Sequence, residues 1–191
     1  QRYNTVESLN EILDLNLSKW EDLYGRYDKE KTLSLRFAGV IERAAIKSGQ
    51  RVVVLVDEYD KPLLQAINDE ALQDEFRAIL KAFYSVLKTQ DQYIKFALLT
   101  GVTKFGKVSV FSDLNNLIDL SMDERYQTLC GITEEEIHRY FEESVRVLAK
   151  NNDISYEDAL CRLERDYDGY HFVAHGEGVY NPFSLLNTLS R

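Results

Sequence analysis

The apolar positions of this chain change period several times, and each change marks an element. Val6, Leu9, Leu13, Leu17, Trp20 and Tyr24 recur at helical spacing, and Gly25 ends the pattern. A second helix carries Leu33, Phe37, Val40, Ile41 and Ala44 on one face, with Lys47 in its last turn and Gly49 as its stop. Residues 52–56 then run without a polar break up to Asp57, which predicts a strand over 52–57 buried on both faces, as in a parallel sheet. A third helix follows with Leu72, Phe76, Ile79, Leu80, Phe83 and Leu87, and residues 93–100 repeat the buried-strand pattern. Strand, helix, strand in this order implies a right-handed crossover and a parallel pair.

Beyond residue 100 the pattern is mixed. Leu117–Leu120 reads as a short strand. Thr133 with Glu136 forms a capping box for a helix, and Ile132 with Ile137 fits the hydrophobic staple around it. Ser155 with Asp158 starts another helix. The tail has glycine and aromatic punctuation, a short strand near Val179 and a terminal helix after Pro182. No linker or internal repeat interrupts the chain, so the fold class is α/β.

At 191 residues, 45% hydrophobic and 29% charged, the composition is that of a globular protein with a real core. No apolar stretch approaches the ~20 residues of a membrane span, and no signal-peptide layout opens the chain. Gln1 is not an initiator Met, which suggests a piece of a longer protein. A net charge of −9 argues against non-specific nucleic-acid binding by this piece, since phosphate neutralisation needs clustered Lys and Arg. Cys130 and Cys161 give no disulfide framework or metal spacing, and both are read as buried thiols in a reducing, cytoplasmic setting. His138 and His175 are isolated, without metal-ligand spacing, and His171 is read as a packing or hydrogen-bonding residue.

Candidate chemistry sits where the first apolar run ends. Asp57 and Glu58 follow Val52–Val56 directly, at the end of a strand where open α/β sheets bind ligands. An aspartate there can hold Mg²⁺ through water opposite the β- and γ-phosphates, and the neighbouring glutamate can orient or deprotonate an attacking water. The plainer alternative is that the two acids end the strand and cap a loop. Gly101–Lys107 matches the G-x-x-x-x-G-K spacing of a phosphate loop, yet Val108 stands where Ser or Thr must ligate Mg²⁺ and no helix start follows. The segment is therefore read as a sensor loop, with Thr100, Thr103 and Lys104 reaching toward a γ-phosphate or the attacking water, or else as a structured loop held by Phe105 and Phe111. Lys61 is either a phosphate or acid contact or a solvated loop lysine. A nuclease within the chain would need E-x-K on a strand, and neither apolar strand carries it.

The stretches Val53–Leu64, Phe96–Ser112, Gly131–Ile137 and Tyr167–Leu186 together resemble the AAA-ATPase-like proteins of gut Bacteroidetes and Firmicutes. The resemblance implies a partial P-loop NTPase-like parallel sheet flanked by helices over residues 1–125, and a mostly helical, lid-like region over residues 126–191. It implies that Asp57 and Glu58 are the Walker B pair, with Asp57 the Mg²⁺ ligand. Thr100 to Lys104 is then the sensor region. ATP and Mg²⁺ are expected as cofactors of the longer protein. An N-terminal segment carrying Walker A, and a C-terminal PD-(D/E)xK nuclease-like domain through which nucleic acid would bind, are expected outside residues 1–191. The fragment is then inactive alone. The alternative function is a non-catalytic protein-interaction module on an ATPase scaffold.

Overall fold

The structure, a computed structural model, describes residues 3–102, 110–112, 114, 116–174 and 176–190. They divide into two compact units, Gln1–Leu117 and Ile118–Arg191, each with its own core.

In the first unit α1 (Val6–Tyr24) starts at Thr5, whose hydroxyl oxygen accepts the Ser8 N–H while Ser8 reaches back to the Thr5 N–H. It ends at Gly25, whose φ of 86° is open to glycine and strained for other residues. α2 (Leu33–Ser48) is capped by Thr32 and closed by Gly49 in the left-handed region. Leu9 and Leu17 of α1 share a core with Phe37 and Ile41 of α2. Strand β1 (Val52–Val56) follows, then α3 (Lys61–Gln65), α4 (Glu70–Tyr84), α5 (Val86–Thr89) and strand β2 (Ile94–Leu99). The expected third helix is thus interrupted at Ser85, between α4 and α5. β1 and β2 pair in parallel, with Val53 opposite Phe96, Leu55 opposite Leu98 and Val56 opposite Leu99. The fold is a mixed α/β one in which helices flank a two-stranded parallel sheet.

The strands depart from the expected burial on both faces. Val54 and Ile94 are buried, and Val52, Val56, Ala97 and Leu99 pack beside them against the helices. The opposite pleat carries Val53 at 50%, Leu55 at 70% and Phe96 at 51% exposure. An aliphatic run records what a strand can bury, and among the described residues helices cover one face of this sheet.

A file of aromatic rings crosses the core. Trp20 stacks on Phe37 at 6.2 Å, Phe37 on Phe83 at 4.6 Å, and Phe83 meets Tyr84 edge-on at 5.5 Å. Tyr84 contacts Phe111 at 5.6 Å, and Phe111 contacts Tyr59 at 4.7 Å, so the file ends directly behind the acidic strand tip.

The second unit contains α6 (Glu134–Tyr140), α7 (Glu142–Asn151), α8 (Tyr156–Tyr167) and α9 (Pro182–Leu189). The Thr133–Glu136 capping box forms, and Ser155 caps α8 by accepting the Asp158 N–H. Ile137, Val145, Ala159, Leu163, Tyr180 and Leu185 make the core. Residues 117–120 form no strand: Asp119 accepts the Ser121 N–H and turns the chain out of extended pairing. The expected strand near Val179 is reduced to isolated antiparallel bridges, Tyr170 to Val179 and Ile132 to Tyr180, because Pro182 begins the next helix two residues on. Gly169 takes the expected positive φ, at 115°. His171 Nδ1 lies 3.0 Å from the Gly176 carbonyl, a hydrogen-bonding role, while His175 lies outside the described residues. Both cysteines are exposed, not buried. α8 turns Ala159 and Leu163 inward, which leaves Cys161 on its outer side.

Candidate functional site at the strand tips

Parallel pairing brings the carboxyl ends of β1 and β2 side by side, and the ladder runs one step past both. The Thr100 N–H donates to the Val56 carbonyl at 2.8 Å, and the Tyr59 N–H donates to the Thr100 carbonyl at 2.9 Å. Those two bonds place the Thr100 side chain over the acidic pair. Its hydroxyl donates to Asp57 Oδ1 at 2.5 Å and accepts the Glu58 N–H at 3.3 Å. Asp57, Glu58 and Thr100, 43 residues apart at the extremes, are therefore one constellation. Thr103 and Lys104, and the rest of the segment to Ser109, lie outside the described residues.

Glu58 is held in a conformation that few side chains adopt, with φ at +54°. Its carboxylate pairs with Lys61 Nζ at 2.5 Å, so Lys61 is an acid contact. The hydrogen bond to Glu58, followed by the charge attraction of the same carboxylate, pushes the Lys61 ammonium above its ordinary pKa. Tyr3 lies near both charges, and burial is the main cause of its raised phenol pKa.

Two residues beside this pair were not legible as site residues in the sequence. Tyr59 is buried and ends the aromatic file. Asp60 is buried completely, and its Oδ2 accepts the Val102 N–H at 2.9 Å. Gly101 lies between: a Cβ there would stand 2.6 Å from Tyr59 Cε1 and 2.9 Å from Asp60 Oδ1. A glycine just past the end of a strand is the one sequence signal of such a close approach.

No group of three or more His, Cys, Asp or Glu side chains among the described residues could enclose a metal ion alone. A hard cation that keeps its waters needs less. Asp57 is exposed, and a carboxylate with a neighbouring hydroxyl is the oxygen donor set that Mg²⁺ takes when phosphate and water complete its shell. The donors fit that ion and do not fit a nitrogen- or sulfur-ligated metal.

Open α/β sheets bind ligands at the carboxyl ends of their strands, which is where these carboxylates and this hydroxyl stand. The family description of predicted AAA-ATPases matches residues 1–111, and the chain belongs to that family. A protein of Azotobacter chroococcum mcd 1, called "Uncharacterized protein in vnfD 5'region", is 41% identical over 181 residues. The alignment covers 92% of the chain and 31% of that relative, so the chain spans about a third of its length. No solved structure matches. No helix among the described residues is long and apolar enough to cross a membrane.

Proposed function

We propose that Asp57, Glu58 and Thr100 are the metal and water side of an ATP-hydrolysing site, and that the loop cradling the phosphates is supplied by chain outside residues 1–191. The observation that carries this reading is the Thr100 hydroxyl on the Asp57 carboxylate at the carboxyl ends of paired parallel strands. It supports a Walker B aspartate facing a sensor threonine. Asp57 would hold Mg²⁺, which neutralises charge on the β- and γ-phosphates when bound. Glu58 exchanges Lys61 for the attacking water and accepts its proton as the water oxygen bonds the γ-phosphorus and the bridging oxygen leaves with ADP. Thr100 holds Asp57 in orientation, and by the family resemblance Thr103 and Lys104 are assigned to the same sensor region. A C-terminal nuclease-like domain acting on nucleic acid belongs to the same proposal for the longer protein.

The test uses the full gene product. It is expected to bind and hydrolyse Mg-ATP, and Glu58→Gln is expected to lower kcat by about 10²–10⁴-fold while ATP binding persists. Residues 1–191 alone are expected to show no turnover. A full gene product that neither binds nor hydrolyses ATP ends the ATPase reading and favours the interaction module.

A further inference from the structure

One charged side chain beside the site is withdrawn from solvent altogether. Asp60 is 0% exposed, deeper than the other buried charges among the described residues, Glu21 and Arg36. It stands at the N-cap of α3 yet makes no capping bond to that helix. An N-cap aspartate ordinarily accepts an N–H of its own helix. This one turns instead to the chain just past β2 and accepts the Val102 N–H, 42 residues along the chain. Burying a carboxylate is costly unless strong hydrogen bonds repay it, so a residue that merely filled this space would be apolar.

The surroundings are shaped to the carboxylate. Gly101 lets the backbone of residues 100–102 approach Asp60 and Tyr59 more closely than any residue with a Cβ could. The ladder bonds fix the second strand as far as Thr100. The Asp60 bond extends that hold to Val102, so Thr100 is clamped from both sides.

We infer that Asp60 is the positioning residue of the strand-tip site: its carboxylate fixes the 100–102 turn and thereby keeps the Thr100 hydroxyl on Asp57. Asp60 lies beneath the site and acts through Thr100, and its catalytic consequence rests on the ATPase reading.

The bond is read directly by NMR in the chain of residues 1–191. A scalar coupling from the Val102 amide nitrogen to the Asp60 carboxyl carbon is expected in the wild type. Asp60→Ala is expected to speed exchange of the Val102 amide by about tenfold or more, with the Phe76 amide in α4 little changed. Asp60→Asn keeps an oxygen at the same place and is expected to stay close to wild type. A wild type without the coupling overturns the assignment, whether or not the alanine variant folds. So does Asp60→Asn exchanging as fast as Asp60→Ala. In the full gene product Asp60→Ala is expected to lower kcat about tenfold to a hundredfold with KM for ATP nearly unchanged, and Asp60→Asn to recover most of the loss. A rise in KM with kcat intact overturns the positioning role. A wild-type gene product without ATPase activity removes the ATPase reading, and the amide measurements then decide the structural assignment by themselves.

Discussion

Glu58 carries the clearest signature at the scale of one residue. A non-glycine side chain at φ +54° costs on the order of 1 kcal/mol, and glycine would take the same turn without strain. Asp153 has a similar φ, 53°, but it follows the last turn of α7, where a left-handed residue commonly ends a helix. Glu58 closes no helix; it follows the aspartate at a strand tip. Keeping a carboxylate in a strained turn is sensible if the carboxylate is used. Glu58→Gly is therefore expected to change stability by no more than about 1 kcal/mol in urea unfolding, the relieved strain offsetting the lost Lys61 pair, while abolishing hydrolysis by the full gene product. A large loss of stability would show that Glu58 is held for the fold. Asp57 and Glu58 were legible because the apolar run stops at them. Asp60 was not, because an acid four residues past a strand reads as solvated loop until its direction is known.

At the scale of elements, helix ends were more legible than helix and strand faces. Thr133, Ser155, Gly25 and Gly49 cap their helices through local hydrogen bonds and dihedral freedom, which the sequence writes out directly. Burial depends on what lies opposite, and the sequence of β1 could not show that Leu55 faces outward. Arg36 makes the same point in reverse. It lies in α2 yet is 4% exposed, with Nε and Nη2 donating to both carboxylate oxygens of Glu21 at 2.8 Å, and with further bonds to Asp14 and Ser18 of α1. Removing one partner strands the other without compensation, so Arg36→Ala is expected to cost about 3–5 kcal/mol in chemical unfolding. The double variant Glu21→Leu/Arg36→Met is expected to recover most of that loss. The hydrogen bond from Arg36, more than its charge, holds the Glu21 carboxyl below its ordinary pKa. A depressed carboxylate adds stability above its unfolded pKa, about 4.3, and loses it as pH falls through the lower folded value. The advantage of wild type over Arg36→Ala is thus expected to shrink in acid-unfolding measurements below about pH 4.

At the scale of the whole molecule, the division into two cores has an optical consequence. The chain has one tryptophan, Trp20, and it heads the ring file of the first unit. The second unit holds tyrosines but no tryptophan, while its helices contribute fully to the far-ultraviolet circular dichroism. Tryptophan emission therefore watches the first unit alone, while ellipticity watches the helices of both. Two separate cores are expected to give denaturation curves by the two probes that do not coincide, and superimposed curves would mean that the chain unfolds as one cooperative body. Because Trp20 is 41% exposed and stacked on Phe37, its emission colour follows the contact between α1 and α2. Nature has left a single built-in lamp at one end of the ring file whose other end is Tyr59, so a change at the acidic tip that loosens the file can be seen without adding any label.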